Sequence, residues 1–433
     1  MIRRTLLILA IIAILSTACA GFGGTPAAPV AGAPTDTPAP VTLTLWHPYG
    51  GAFGQQFEAL VREFNETHPG IVVEPSYGGN LWTMRDKLLT AIAGQAAPDL
   101  SMVDQFWSSE LADAGALVPM ETFIQADPDF DREDVWPMAW KTATYDGTIW
   151  TMPFSLSNIA LYYNRRLFRE AGLDPDRPPT TWEELATTAQ ALTADRDGDG
   201  QPDQWGLSFP VQAKRGVVYY WFAFLWQAGG EIFNDDYSAA RFQESPGIEA
   251  LRFWQTMVEA GSLPLSPPDR GFEEGRIGML LASTARLNRY IQALGDDLGV
   301  APLPAGPAGA ATGVGGANIA ILSNVRDREA AWTFVRWMTS PEVNRRWSTE
   351  TGYLPLRRSV VESAEYRAYL EQEPRAQVIV DQMAVARVRP NIPAYAAASR
   401  EIGLAVEEAL FTGADPAQVL TAAAEKVNAL LAP

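Results

Sequence analysis

Hydrophobic and polar residues alternate in short blocks from residue 41 onwards. Residues 41–46 alternate at every second position and are rich in β-formers, which predicts a strand. Apolar residues then recur at helical spacing up to a Pro-Gly breaker: Phe53, Phe57, Leu60, Val61 and Phe64, followed by Pro69-Gly70. The order repeats with a strand over 71–77, a helix over 81–92 and a strand over 99–103. This alternation indicates an α/β fold with a parallel, doubly wound sheet.

Candidate binding chemistry follows the three predicted strands. Ligands of such sheets bind beyond the carboxyl ends of the strands. The segments at those ends contain aromatic, amide and carboxylate side chains, among them His47, Tyr49, Asn80, Trp82, Asp104, Gln105 and Trp107. Aromatic faces suit the C–H face of a sugar ring, and amides and carboxylates suit its hydroxyl groups. The sequence therefore predicts a small-ligand site where these segments meet.

Composition narrows the class of partner. The chain has 433 residues, with 33 Lys and Arg against 51 Asp and Glu and a formal net charge of −18. This length allows two domains with separate cores, and the acidic balance argues against nucleic acid as a partner. Cys19 is the one cysteine in the sequence. Disulfides within the chain, cysteine metal sites and thiol catalysis in the folded body are therefore excluded.

The first 18 residues are typical of a secretory signal peptide. Two arginines precede an apolar run over 6–15, which is too short to span a membrane. The small residues before Cys19 resemble the bacterial lipobox, in which the cysteine is acylated, although Ser16 stands where that motif prefers leucine. The prediction is a lipoprotein held by Cys19 at the outer face of the cytoplasmic membrane, with simple release of the protein as the alternative. Residues 19–40 are rich in Gly, Ala, Thr and Pro and predict a disordered tether.

Nine short segments occur in an order that matches one protein family. In chain order they are 46–47, 64–70, 97–100, 152–154, 161–164, 179–185, 272–279, 351–355 and 389–393. The chain resembles bacterial extracellular solute-binding proteins of the carbohydrate-uptake class, and within that class the glycerol-3-phosphate-binding and maltose-binding proteins. The resemblance implies a two-lobed periplasmic-binding-protein-like fold of type II, with parallel-rich sheets flanked by helices. It implies three hinge crossovers, near 153–156, 313–318 and 388–393.

The same resemblance assigns the lobes. It places the N-terminal lobe at 41–153 with 316–387, and the C-terminal lobe at 154–315 with 388–433. Glycine and proline in the crossing segments suit a hinge that turns while the two lobes stay rigid.

Binding positions are implied by the glycerol-3-phosphate-binding proteins one at a time. Three positions match: Ser157, Tyr353, and one of Gly315 and Gly316. Three differ: Leu81 replaces a tyrosine, Gln105 a glutamate and Arg286 a serine. The last arginine of the family falls at Arg387 or Arg389. Loss of the glutamate removes a charge that holds glycerol hydroxyls, whereas the arginines offer a clamp for phosphate or carboxylate. Two ligands stay open: a small sugar or polyol, and glycerol 3-phosphate or its diesters.

The densest aromatic segment is 219–226, and the simplest interpretation is a core helix. Sugar sites also use such faces for stacking. Trp226 is therefore a candidate stacking residue, together with Trp82, Trp107 and Trp221. Ser399 stands about where maltose-binding proteins carry a stacking tryptophan, which disfavours a long maltodextrin.

A second constellation lies in the acidic stretch 195–203. Its spacing follows the calcium-loop plan, with Asp195, Asp197, Asp199, Gln201 and Asp203 as candidate ligands. Gly206 stands where an EF-hand has its bidentate glutamate, so a complete EF-hand is excluded. Two interpretations stay open: a structural calcium ion that completes its ligand set elsewhere, and an exposed Asx-rich turn without an ion.

The function predicted from these features is capture of a small ligand for an ABC importer, by a monomer that works with permease subunits and catalyses no reaction. No other cofactor is expected. A secreted glycan hydrolase is the main alternative, with Asp99 and Asp104 as paired carboxylates. A sensor domain that presents its ligand to a membrane partner is a third.

Overall fold

The strands and helices alternate much as the pattern predicts at the start of the chain. The computed structural model describes residues 39–432, without the side chains of Trp82 and Arg215. The predicted signal peptide, Cys19 and all but the end of the tether lie outside the described residues. Within those residues the strands are β1 (Val41–His47), β2 (Ile71–Tyr77), β3 (Leu100–Asp104), β4 (Thr144–Tyr145), β5 (Thr148–Ile149), β6 (Met152–Ser157), β7 (Ile159–Asn164), β8 (Trp205–Ser208), β9 (Ile277–Ser283), β10 (Leu298–Ala301), β11 (Thr312–Gly313), β12 (Gly315–Ile321) and β13 (Ala386–Arg387).

The helices flank the sheets formed by these strands. In chain order they are α1 (Gly51–Thr67), α2 (Leu81–Ala93), α3 (Ser108–Asp113), α4 (Glu121–Ala126), α5 (Pro137–Ala143), α6 (Arg165–Glu170), α7 (Trp182–Leu192), α8 (Val217–Gln227), α9 (Ser245–Glu259), α10 (Leu287–Leu294), α11 (Arg328–Met338), α12 (Pro341–Thr351), α13 (Arg358–Glu362), α14 (Ala364–Gln372), α15 (Pro374–Asp381), α16 (Tyr395–Thr412) and α17 (Pro416–Leu431). None of these helices is both long enough and apolar enough to cross a membrane.

The first sheet has five strands in the order β2-β1-β3-β12-β6. β1 runs parallel to both β2 and β3, as the alternating pattern predicts. β12, more than 200 residues after β3, lies between β3 and β6 and is antiparallel to both. The sheet is therefore mixed. One face packs on α1, whose apolar residues Phe57, Leu60, Val61 and Phe64 are buried as their helical spacing requires.

The second sheet has four strands in the order β10-β7-β9-β8. β7 is antiparallel to β9 and β10, whereas β8 and β9 are parallel. α7 packs on β8, and α8 and α9 pack on each other and on α16. The two-lobed fold with two separate sheets follows the predicted fold class.

The chain passes between the two sheets at short, buried segments. Asn158 alone separates β6 of the first sheet from β7 of the second. Val314 alone separates β11 from β12, and β11 pairs in parallel with β13. After β13, the side chain of Asn391 donates to the carbonyl of Thr144 at 3.0 Å. Three connections therefore lie side by side, close to the crossing positions that the resemblance implies.

The lobe boundaries themselves stay a prediction. Within 316–387, the stretch assigned to the N-terminal lobe, α12 packs on α1 and α15 packs on β10. This stretch therefore touches both sheets.

Buried hydrogen bonds anchor the first crossing segment at Asn158 and Ile159. The Asn158 amide donates to the carbonyl of Ile379 at 3.1 Å, and Gln382 donates to the Asn158 side-chain oxygen at 3.1 Å. Thr312 Oγ1 accepts from the backbone N–H of Ile159 at 3.1 Å. All of these groups are buried, so each bond satisfies a polar group that would otherwise destabilise the core.

Gly316 allows the second crossing to run close to the first. Its φ of +138° lies in the region that favours glycine, and an added Cβ would collide with the carbonyl of Ser155. A glycine is required here by both backbone conformation and space.

Candidate functional site

The order of the first sheet brings three predicted binding positions to one place. Asp104 ends β3, Ser157 ends β6 and Gly315 begins β12. Because β12 lies between the other two strands, Gly315 is directly opposite Ser157, and Ala317 is directly opposite Asp104. The Gln105 side chain donates to the carbonyl of Gly315 at 3.1 Å. These residues, together with Gly316, lie where the chain crosses between the sheets.

Arg389 approaches this point from the segment after β13. Its Nη2 lies 3.9 Å from Oδ1 of Asp104, and the two side chains are 10% and 12% exposed. Asp104 Oδ1 and Arg389 Nε are buried and have no hydrogen-bond partner among the described residues. Buried polar atoms are almost always paired in folded proteins. These two atoms are therefore available to a bound ligand.

Burial controls the protonation of Asp104. Removal of the carboxyl from water raises its pKa to about 6, while Arg389 and the backbone N–H groups of Phe106 and Gln105 oppose the rise. Asp104 therefore titrates just below neutral pH, and at pH 7 most molecules hold a carboxylate at this position.

Aromatic rings enclose the guanidinium of Arg389. The guanidinium carbon lies 4.1 Å from the ring centroid of Phe106 and 5.0 Å from that of Tyr219. The Tyr219 hydroxyl donates to the carbonyl of Gly313 at 3.1 Å, which ties α8 to β11. The buried hydroxyl of Tyr395 has no partner in the described part of the chain, and its ring packs 4.7 Å from Phe106. Flat apolar faces thus surround a charged pair, as in sites for polyhydroxylated rings.

Tyr353 and Arg286 form the adjoining part of the site. The Tyr353 ring stacks on Trp347 with centroids 5.7 Å apart. Burial raises the pKa of Tyr353 to about 12, the positive charge of Arg286 lowers it and the negative charge of Asp104 raises it. Both charges are therefore close to this phenol. Arg286 is exposed and makes no ion pair with any residue that the structure describes.

Two predicted residues lie in the core instead. His47 is fully buried, with its ring centroid 4.8 Å from that of Phe57 on α1. Neither ring nitrogen has a hydrogen-bond partner in the described structure, and burial lowers the pKa of His47. Tyr49 is also buried, with its hydroxyl 3.3 Å from Ser155 Oγ. His47 does not belong to the cluster around Asp104, because the core-facing positions of β1 continue from Leu43 and Leu45 to His47. Tyr49 follows β1, and its ring centroid lies 5.1 Å from those of the buried Phe57 and Trp347.

The remaining predicted residues have local roles. Asn80 caps α2 by accepting from the Thr83 N–H at 3.1 Å. Leu81 and Trp82 begin that helix. Trp226 lies under the guanidinium of Arg387, 4.9 Å from its ring centroid, and Arg387 pairs with Glu231 at 2.7 Å. Trp107 and Trp221 are buried, and for Trp221 this agrees with the interpretation of 219–226 as a core helix.

Three residues of the cluster were not predicted as binding residues: Phe106, Tyr219 and Tyr395. Tyr219 lies in the dense aromatic segment 219–226, whose predicted stacking residues are Trp221 and Trp226. Tyr395 follows the Pro-Asn-Ile-Pro segment by two positions, and this proximity was the available signal.

The carboxylates proposed for a hydrolase are too far apart. Asp99 precedes β3 and Asp104 ends it, so five residues of extended chain, about 16 Å, separate them. Paired glycosidase carboxylates lie roughly 5–10 Å apart. The Asp99 carboxylate instead accepts from the Thr44 N–H at 2.8 Å. This pair therefore does not form a glycosidase site.

The acidic loop brings three of its candidate ligands together. One carboxylate oxygen each from Asp195, Asp197 and Asp203 lies within 4.8 Å of the others, and all three residues are exposed. The Asp195 carboxylate also accepts from the N–H groups of Gly198 and Gly200, at 2.7 and 2.9 Å. Both interpretations of the loop are compatible with this arrangement, so calcium stays a prediction.

Comparison with known proteins decides the family. The model of the bacterial extracellular solute-binding protein family matches residues 59–373, well over half of the chain. The chain belongs to this family. It is therefore a solute-binding protein, from a family of transport proteins that act outside the cytoplasm.

Individual relatives match this chain over most of their length. The chain is 25% identical over 355 residues to the sn-glycerol-3-phosphate-binding periplasmic protein UgpB of Yersinia pseudotuberculosis, covering 79% of this chain and 80% of the relative. A Thermotoga lettingae ABC transporter solute-binding protein, solved with α-D-tagatose, superposes with a TM-score of 0.81 at 28% identity, over 90% of this chain and 100% of that one. The cyclic α-maltosyl-1,6-maltose binding protein of Arthrobacter globiformis gives 0.77 at 31% identity, over 90% and 99%.

Proposed function

We propose that this solute-binding protein captures a small sugar or polyol, of mono- or disaccharide size, between its two sheets and delivers it to the permease of an ABC importer. The observation that carries the proposal is the buried pair Asp104–Arg389, with one polar atom on each side chain available to a ligand. A carboxylate accepts hydrogen bonds from hydroxyl groups, and a guanidinium donates hydrogen bonds to them. The rings of Phe106 and Tyr219 supply the apolar faces.

A neutral ligand suits the charge of this pair. Asp104 already compensates the charge of Arg389, and its Oδ1 has no hydrogen-bond partner among the described residues. A phosphate placed there would meet a like charge in a desolvated site, which is unfavourable. The solved relative with bound tagatose supports the same class of ligand.

Glycerol 3-phosphate or a glycerophosphodiester is the alternative, and Arg286 is the observation that favours it. This arginine lies near Tyr353 and has no ion-pair partner among the described residues. An anionic group at the edge of the site could pair with it while the glycerol hydroxyls meet Asp104. The relative from Yersinia pseudotuberculosis supports this ligand by its name.

Thermal unfolding with a ligand panel tests the proposal. The panel holds D-tagatose, maltose, glycerol 3-phosphate, free amino acids and a short peptide. We expect one of the first three classes to raise the midpoint of unfolding, because a ligand that binds the native state stabilises it. Stabilisation by amino acids or peptide alone would contradict the proposal. We also propose that the protein leaves its ligand unchanged, and product formation from the bound sugar at enzyme-like rates would contradict this.

The membrane anchor is a separate proposal that rests on the sequence before residue 20. Acylation at Cys19 would hold the protein at the outer face of the cytoplasmic membrane, close to the permease. Mass spectrometry of the protein from membranes should show a diacylglycerol-modified N-terminal cysteine, and Cys19→Ala should release the protein. An unmodified mature N-terminus at another residue would contradict the anchor.

A further inference from the structure

A cavity of about 230 Å³ lies beside β8, at the edge of the second sheet. Its walls are largely apolar, with Phe209, Val211, Leu265 and Leu280 among the lining residues and Gln212 and Ser266 as polar ones. Asp104, Arg389 and Tyr353 do not line it. The cavity is therefore a feature separate from the charged pair.

Leu280 shows that the cavity interrupts the packing of the sheet. It lies on β9 between Tyr162 of β7 and Ser208 of β8 in the sheet, and both neighbours are buried. Leu280 itself is only partly buried, although it occupies an interior strand. Protein interiors are normally close-packed, and apolar surface left without contacts loses dispersion energy. A group that filled the space would recover those contacts.

A row of aromatic rings connects the cavity with the charged pair. Phe209 in the cavity wall stacks with Tyr220 at 6.2 Å between centroids, and Tyr220 contacts Tyr219 at 5.3 Å. Tyr219 in turn lies 5.0 Å from the guanidinium of Arg389. The positive charge of Arg286 lowers the otherwise raised pKa of both Tyr220 and Tyr353, so its guanidinium is close to both phenols. The apolar cavity and the charged pair therefore lie at the two ends of one row of contacting rings.

We propose that this cavity is a side pocket for a ring-sized apolar substituent on the ligand whose hydroxyl groups meet Asp104 and Arg389. The inference rests on the proposed function. A cavity of roughly 150 Å³ lined by apolar residues is enough to bind benzene. The cavity here is larger, at about 230 Å³, and it holds polar side chains that could meet a linking oxygen. The preferred ligand is then an aryl-substituted sugar or polyol, such as a phenyl glycoside.

Matched ligand pairs test the pocket by isothermal titration calorimetry on the full chain. The pairs are the methyl and phenyl glycosides of whichever panel sugar binds, or the methyl and phenyl esters of glycerol 3-phosphate if that ligand binds. We expect the phenyl member to bind at least about tenfold more tightly, because a buried ring removes apolar surface from water.

Two tryptophan variants distinguish binding in the cavity from a nonspecific effect of an added tryptophan. Leu265→Trp fills the cavity, so the phenyl preference should disappear while the affinity for the methyl member is unchanged. Leu404→Trp places the same side chain on the exposed face of α16, where Leu404 is 45% exposed, and should keep the preference. Ser266→Trp, at the exposed edge of the cavity, replaces Leu265→Trp if that variant does not fold.

The outcomes distinguish the two proposals. Equal affinities for methyl and phenyl members in the wild type, or a phenyl preference that survives the filled cavity, would overturn the side pocket and leave the proposed function intact. Failure of every sugar, polyol and glycerol phosphate to bind would overturn the proposed function and the side pocket with it.

Discussion

Nη2 of Arg389 lies 3.9 Å from Oδ1 of Asp104, although the two residues are 285 positions apart in the sequence. The sheet order brings them together, because β12 places the end of β3 beside the crossing segments. The pair is nearly excluded from water, and the packing of Arg389 between two aromatic rings fixes its position.

The charge of Asp104 should make ligand affinity depend on pH. A protonated carboxyl accepts hydrogen bonds from hydroxyl groups less well than a carboxylate does. It also leaves Arg389 without a counter-charge. With a pKa of about 6 for Asp104, affinity for a neutral sugar should fall as the pH drops from 7 to 5. Calorimetry at three pH values measures this affinity. The Asp104→Asn variant should bind more weakly, with an affinity that does not change between pH 7 and pH 5. Unchanged wild-type affinity from pH 7 to 5 would contradict the role of the carboxylate.

The stability of the ligand-free protein should respond to Asp104 with a definite sign. Its folded pKa of about 6 exceeds the ordinary value of 3.8, so the folded state binds this proton more tightly than the unfolded state. The stabilisation is complete below pH 4 and is lost as the pH rises through 6. Relative to Asp104→Asn, the wild type should therefore lose about 2 kcal/mol of unfolding free energy between pH 4 and pH 7. Urea unfolding at both pH values measures this difference, and no relative change would contradict it.

His47 should show the opposite trend. Burial lowers its pKa, and the carboxylate of Glu58 at 3.7 Å compensates only in part. The unfolded state then binds the proton more tightly, so stability should fall as the pH drops below 6.5. His47→Phe removes this titration and keeps a ring against Phe57. The variant should lose less stability than the wild type between pH 7.5 and 5.5, and an equal loss in both would contradict the buried-histidine account.

Arg286 separates the two candidate ligands. If a phosphate ester is the ligand, Arg286→Ala should abolish its binding, because the arginine would supply the charge-assisted hydrogen bonds. A neutral sugar should lose less than about threefold in affinity. Arg289→Ala is the matched control, because Arg289 lies three positions after Arg286 and already pairs with Glu273. Loss of neutral-sugar binding in Arg286→Ala would contradict the assignment of Arg389 as the main donor.

Gly316→Ala tests the close approach of the crossing segments. The substitution adds a methyl group against the Ser155 carbonyl at a positive φ, and we expect a loss of more than about 2 kcal/mol in unfolding free energy. Gly309→Ala is the control, because Gly309 has a φ of +124° with nothing within 4 Å of an added Cβ. Denaturant unfolding of both variants should show the larger loss at Gly316, and equal losses would mean that only backbone strain matters.

The acidic loop gives a direct test of calcium binding. Titration of CaCl₂ into the calcium-free protein should release or absorb measurable heat at one site if three carboxylates hold the ion. Asp195→Asn should abolish it, and Glu249→Gln, a change of the same charge at an exposed position, should not. The absence of saturable heat in the wild type would leave the exposed turn as the correct interpretation.

The local pattern of hydrophobic and polar residues predicts the individual strands, but it does not predict their order in the sheet. The strand β1 follows from alternation, and β2 and β3 follow from short runs of strand-forming residues, each of seven residues or fewer. The insertion of β12 between β3 and β6 depends on pairing across more than 150 residues, and hydrophobic alternation carries no information on partners.

The same distinction explains the candidate site. Ser157, Gln105, Asp104 and Arg389 were predicted from strand ends and family position, and the structure brings them together. His47 was placed at the site because it ends a strand, but its parity with Leu43 and Leu45 directs it to the core. Helical spacing does not predict the position of Tyr219, because α8 is apolar on every face and its spacing does not show which residue faces a ligand.

A crystal structure with the ligand that stabilises the protein most is the most direct measurement. The account predicts ligand hydroxyl groups within hydrogen-bond distance of Asp104 Oδ1 and Arg389 Nε, with a ring or carbon chain against Tyr219. A ligand bound elsewhere, with both atoms still unpaired, would contradict it.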